Sequence, residues 1–184
     1  MNQIYKMVRT LIGVEGKYSN NPNDAGGETM WGITHKVARE NGYVGAMKDM
    51  PREVAEQLYL AIYFEKPNFN LVWGVSPQIA HELMDTGVNM GTGTATKFLQ
   101  QSLNVLNKSH KDVPLYPELI VDGDLGRGTL SALMLFLKTR GAEGELVLMR
   151  MLNALQGARY IAITDGRVQN EEFIYGWFLN RVVV

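Results

Sequence analysis

The chain has 184 residues, 46% of them hydrophobic and 20% charged, with a formal net charge of -1 and no cysteine. This is ordinary globular usage for one domain, or a main domain with a small appended one, and the charge supplies no basic footprint for nucleic acid or for an anionic membrane surface. Without cysteine there are no disulfides, no thiol nucleophile and no cysteine-ligated zinc.

Residues 2–14 carry Ile4, Val8 and Leu11 at spacings of four and three, which predicts an amphipathic helix. A further step of four reaches Glu15. A carboxylate on the apolar stripe near a helix C-terminus is pushed toward its protonated form by burial and by the dipole. Two readings stand: a general acid that holds a proton at neutral pH, or a helix-end acid paired with Lys17 or an arginine. Lys6 and Arg9 are followed by no apolar run of signal-peptide length, and no stretch reaches eighteen apolar residues. The expectation is a protein made in the cytoplasm without a signal peptide and without an integral membrane segment.

Asn20-Asn21-Pro22-Asn23-Asp24 and Gly26-Gly27 are dense turn chemistry, and residues 28–34 read as an extended strand or hairpin arm. That arrangement returns Asp24 and Thr29 toward the helix end. Thr34 caps a short helix to Asn41, with Gly42 as its left-handed stop. Pro51 opens a helix over Val54, Leu58, Ala61 and Ile62, and Ser76-Pro77 starts another through Ile79, Ala80, Leu83 and Met84 to Val88. Asp85 and Asn89 share a face of it, either toward a cleft or in hydrogen bonds to a neighbouring helix.

The pattern changes after about Gly93. A helix over residues 97–104 turns Phe98, Leu99, Leu103 and Leu106 inward, and a polar loop with Pro114 and Pro117 follows. The Asp122-Gly123 turn precedes a buried helix; a calcium loop at Asp122 and Asp124 lacks the ligand spacing and terminal Glu of an EF-hand. A long helix over residues 143–164 carries Leu146, Met149, Leu152, Leu155 and Ile161. Residues 169–183 form a last helix in which Phe173, Trp177 and Phe178 pack. His35, His81 and His110 are scattered and receive no role; no metal or cofactor motif is present. Tyr18, Trp31, Tyr43 and Trp73 suit either sugar stacking or core packing.

Glu15-Gly16-Lys17-Tyr18, followed by Asn21-Pro22, Asp24, Gly26-Gly27, Thr29 and Gly32-Ile33-Thr34, resembles the signature of glycoside hydrolase family 108. These are lysozyme-like N-acetylmuramidases found as phage endolysins and as muramidases linked to secretion. The motif is also similar to the wider phage-lysozyme pattern of Glu, eight residues, Asp or Cys, five residues and Thr. Eight residues separate Glu15 from Asp24 here and four separate Asp24 from Thr29, and Lys17 stands where the family usually has Gly. Asp85, Val88, Asn89 and Gly91 match a second family segment, and Phe173, Gly176-Trp177 and Arg181 a third. Leu99-Gln100, Leu103-Asn104 and the run from Val121 to Leu133 resemble helical peptidoglycan-binding modules, a pattern that is equally open to a purely structural reading.

The resemblance implies a mainly α (α+β lysozyme-like) fold, a helical bundle with one short strand or hairpin next to the catalytic helix. It implies a catalytic region at 1–92 and a peptidoglycan-binding-like region at 93–184, packed as one globule. Glu15, Asp24 and Thr29 are then catalytic, and Tyr18, Asn23, Trp31, Thr34, Asp85 and Asn89 bind substrate. The reaction is hydrolysis of the β-1,4 bond between N-acetylmuramic acid and N-acetylglucosamine, without metal or cofactor. Glu15 protonates the glycosidic oxygen and Asp24 orients water or stabilises the cation. The alternatives are a lytic transglycosylase and a non-catalytic wall-binding or secretion-associated module. Expected partners are peptidoglycan glycan strands and a holin or export system that releases a monomer to the periplasm or wall.

Overall fold

The computed structural model describes residues 2–13, 18–20, 27–108, 113–166 and 168–182. Its contacts group into two compact units, Met1–Lys66 and Pro67–Val184. This packing boundary lies elsewhere than the change in sequence character near residue 93, because the helices over Phe69–Trp73 and Pro77–Met90 pack with the helices that follow them.

In the first unit, α1 (Asn2–Ile12) buries Met7, Val8 and Ile12, with Ile4 and Leu11 flanking that stripe. Gly13 takes a φ of +71° and closes the helix. α1 ends at Ile12, and Glu15, the next step of the apolar periodicity, lies outside the described residues. β1 (Thr29–Met30) and β2 (Ile33–Thr34) form an antiparallel hairpin that pairs Thr29 with Thr34 and Met30 with Ile33.

Thr34 then caps α2 (His35–Glu40), its side chain accepting from the Val37 N–H at 3.3 Å. A 3₁₀ turn at Met47–Asp49 leads to α3 (Arg52–Leu60), which packs on α1 and is extended by a π turn at Ala61–Glu65. Met47, Met50, Ala55, Leu58, Tyr59 and Phe64 complete this core.

The elements described in the second unit are helices, with a non-helical segment between Val105 and Arg127. α4 (Phe69–Trp73) leads to α5 (Pro77–Met90), whose N-cap Ser76 accepts from the Ile79 N–H and bonds to the Glu145 carboxylate. α6 (Thr92–Val105) folds back on α5 after Gly91, whose φ is +90°. α7 (Arg127–Thr164) breaks at Gly141, where φ and ψ are 60° and -151°. α8 (Val168–Asn180) packs on α7.

The buried stripe of the second half of α7 runs Gly144, Leu148, Leu152, Gln156 and Tyr160 at steps of four. Leu146 and Ile161 are exposed instead, since they lie off that row. Trp177 stacks on Tyr160 with ring centroids 4.7 Å apart and Phe178 approaches the same ring, as expected for packing residues; the side chain of Phe173 lies outside those described. Among the described residues no helix is long and apolar enough to cross a membrane.

Candidate active site

The site expected from the sequence centres on the hairpin of the first unit. Ser19 and Thr29 exchange both backbone hydrogen bonds, at 2.9 and 2.8 Å, adding a third short antiparallel segment to β1. Tyr18 donates its hydroxyl to Glu28 Oε1 at 2.7 Å, which raises the phenol's pKa. Thr29 is half-buried, with its hydroxyl 3.5 Å from the Gly27 carbonyl, at the long limit of a hydrogen bond. Tyr18, Ser19, Glu28 and Thr29 thus form one small polar surface. Glu15, Asn23 and Asp24 lie outside the described residues.

Trp31 and Gly32 make the two-residue hairpin turn, with φ of 54° and 77°. Positive φ at both central residues matches the strand twist but is an unfavoured conformation for a bulky side chain. The surroundings hold it there. The indole Nε1 donates to the Met50 carbonyl at 2.9 Å, and the Arg52 guanidinium lies 5.6 Å from the ring centroid. Gly32 faces the Tyr59 hydroxyl, which a Cβ would meet at 2.6 Å. Trp31 therefore works as an anchor of the turn, and Thr34 spends its hydroxyl on the α2 cap.

Arg52 also reaches Glu56 Oε1 at 3.4 Å, and Arg9 of α1 binds both oxygens of the same carboxylate. Glu56 is 2% exposed, and this pairing fixes α1 against α3 just ahead of residue 15. Sequence spacing pointed to neither Arg52 nor Glu56. The only local signal was their i,i+4 relation, and the decisive partner, Arg9, is 47 positions away.

Asp85 and Asn89 belong to the second unit. Asp85 is buried and receives Arg181 and the Gln156 amide, the latter at 2.9 Å, while Gln156 also donates to Thr86 at 3.1 Å. Of the two readings open to it, hydrogen bonding to neighbouring helices is the arrangement present. Asn89 is exposed and donates to the Asp85 carbonyl at 2.7 Å. Glu82, one turn before Asp85, is raised to about 7 by burial first and the Asp85 charge second.

The glutamine-asparagine pattern of α6 has a definite structural use. Gln100 and Asn104 lie one turn apart on α6, Asn107 follows just past its end, and each of the three fastens the backbone of residues 115–124 in both directions. Asn107 accepts from the Leu115 and Tyr116 N–H groups and donates to the Tyr116 carbonyl. Asn104 exchanges two bonds of 2.8 Å with Leu119. Gln100 accepts from the Gly123 N–H and donates to Asp122, the Asp124 carbonyl and Thr129. Among the described residues no cluster of three or more His, Asp or Glu is arranged to hold a metal ion.

Residues 8–91 match the family model described as Glycosyl hydrolase 108, and residues 94–182 match the model described as Predicted Peptidoglycan domain. The chain is also similar to the solved structure of SagA from Brucella abortus, at 20% identity over 100% of this chain and 97% of that one, with a TM-score of 0.62. That likeness establishes a shared fold. No curated protein matches the chain.

Proposed function

We propose that in this chain, which is a family 108 glycosyl hydrolase over residues 8–91 and carries a peptidoglycan domain over residues 94–182, Glu15 is the proton donor of the reaction. The protein is a peptidoglycan hydrolase of the muramidase class. Its bond is the β-1,4 link between N-acetylmuramic acid and N-acetylglucosamine. Glu15 protonates the leaving oxygen, positive charge develops on the sugar, and water captures it with Asp24 orienting that water or stabilising the cation.

The observation that carries the assignment is the pairing of Ser19 with Thr29. It joins the described residues on either side of 21–26 and sets the Tyr18–Glu28 pair beside Thr29, so the described residues before and after Asp24 meet in one place. The polar edge so formed has the acceptors and hydroxyls that sugar hydroxyls require. Trp31, turned onto Met50 and Arg52, supports this edge rather than stacking freely. The compartment of action is the wall itself, where the glycan lies.

Glu15→Gln keeps the shape and removes the proton. General acid catalysis contributes roughly 10²–10⁴-fold, so lysis of permeabilised Gram-negative cells by this variant is expected to fall by that order with folding intact. A variant keeping half the activity refutes the assignment. Mass analysis of the products distinguishes hydrolysis, which leaves reducing ends, from transglycosylation, which leaves 1,6-anhydro ends.

A further inference from the structure

A groove of about 520 Å³ opens in the Pro67–Val184 unit between residues 115–126 and the first half of α7, a size that suits a small ligand or a short peptide segment. Its wall is preformed. Gln100, 1% exposed, lies at its base and uses both amide atoms to hold the turn at residues 122–124. Asn104 and Asn107 hold the preceding backbone, so the loop is ordered before anything binds.

The lining has two chemistries. Leu119, Ile120 and Leu135 give an aliphatic side, with Ile120 80% exposed. Glu118, Asp122 and Asp124 add carboxylates to the lining, and among the described residues no lysine or arginine lines the groove. Asp122 is held below the usual carboxylate range by the Asp124 N–H, then by Gln100, with a smaller contribution from Lys97, so its charge persists at neutral pH. Lys97 flanks the Gly123 turn, and Arg127 follows it at the start of α7, without either entering the lining. The aromatic lining residue, Tyr116, is 7% exposed and donates its hydroxyl to the Leu103 carbonyl at 2.8 Å, so it offers a sugar ring no open face.

We propose that this groove binds the peptide stem of peptidoglycan through an aliphatic side chain ending in a primary ammonium, the carbon chain lying on Leu119, Ile120 and Leu135 and the ammonium among Glu118, Asp122 and Asp124. The site is distinct from the glycan-cutting hairpin. It rests on the reading that the wall is the substrate and is independent of the role of Glu15. Charge complementarity selects an amine, and the absence of an open aromatic platform selects peptide over glycan.

The test uses the full chain and three soluble probes followed by calorimetry: a stem tetrapeptide whose diamino acid carries a free amine, the same peptide acetylated on that amine, and a peptide-free N-acetylglucosamine–N-acetylmuramic acid tetrasaccharide. The free-amine peptide is expected to bind, and acetylation to weaken it about tenfold or more. Glu118→Gln with Asp124→Asn, both exposed positions, is expected to weaken it equally, and Ile120→Ser to weaken both peptides. The acidic double variant should cut the peptide-free glycan at the unsubstituted rate. Equal binding of the acetylated peptide, unchanged binding by the double variant, or no binding of the free-amine peptide overturns the proposal. Failure of the unsubstituted chain to cut peptide-free glycan overturns the muramidase reading instead, and leaves the binding result to decide the groove.

Discussion

Arg9 of α1 donates through Nε and Nη2 to the two carboxylate oxygens of Glu56 on α3, at 2.8 and 3.3 Å, where Glu56 is 2% exposed. The arginine remains more than half exposed, so the pair is anchored on its acidic side. Glu56→Gln keeps the volume and removes the charge that Arg9 and Arg52 share. A hydrogen bond to a charged group contributes roughly 1.5–3 kcal/mol, and the expected loss in urea denaturation is at the lower end because Arg9 regains solvent. Arg9→Gln should cost less than Glu56→Gln, since Arg52 continues to hold the carboxylate. The reverse order would show that Arg9 holds α1 through a partner other than Glu56.

The hairpin turn gives a second expectation. Gly32 has a φ of +77°, and a Cβ there would lie 2.6 Å from the Tyr59 hydroxyl. Gly32→Ala therefore combines left-handed strain of roughly 1–2 kcal/mol with displacement of Tyr59. Making the same change in a Tyr59→Phe background separates the two contributions, because the contact atom is gone while the backbone strain remains. The cost of Gly32→Ala should be smaller in that background; equal costs would mean that backbone strain alone matters.

Local chemistry was legible in the sequence, and distant pairing was not. Thr34 and Ser76 cap their helices, Gly42 has a φ of +86°, and residues 28–34 contain the hairpin, because each signal acts within a few positions. The end of α1 at Ile12 follows from the left-handed backbone at Gly13, which apolar periodicity does not register. Asp85 showed its face but not its partners, which lie 71 and 96 positions away at Gln156 and Arg181. Gln100 and Asn104 were visible as part of a module pattern, but the loop they fasten has no periodicity of its own, and Asn107 gave no signal. The Glu15 and Asp24 motif was legible as spacing, with eight residues between the two, and its geometry falls outside the described residues.

Glu82 makes stability depend on pH. It is 6% exposed, and burial together with Asp85 lifts its pKa from 4.5 to about 7, against smaller lowering contributions from Thr86 and Asn153. The folded state thus keeps a proton that the unfolded chain releases. Between pH 4.5 and about 7 the folded state binds more protons, so stability falls as pH rises through that window. The contribution is fully present below 4.5 and lost above about 7, with an upper limit of about 3 kcal/mol. Glu82→Gln should remove this slope and be more stable than the unsubstituted chain at pH 8. Urea midpoints at pH 5 and pH 8 measure it, and an undiminished slope in the variant would assign the effect to another group.

Gln100 is the most heavily committed side chain of the second unit, buried at 1% exposure and bonded to Asp122, Gly123, Asp124 and Thr129. Gln100→Leu preserves much of the volume and strips the Gly123 N–H and the Asp124 carbonyl of their partner. Each buried polar group left unpaired costs about 1–3 kcal/mol, and partial access of water at the turn moderates this, so a total loss of roughly 2–4 kcal/mol is expected. The distribution of the loss is more informative than its size. Asn104 and Asn107 still hold Leu119, Leu115 and Tyr116 in the variant, so the loop should loosen from its C-terminal end. Hydrogen exchange should therefore accelerate at the Gly123 amide by a larger factor than at the Leu119 or Tyr116 amides. Uniform acceleration along residues 115–124 would mean that the side chains of Gln100, Asn104 and Asn107 act as one cooperative clamp instead of three separable ones.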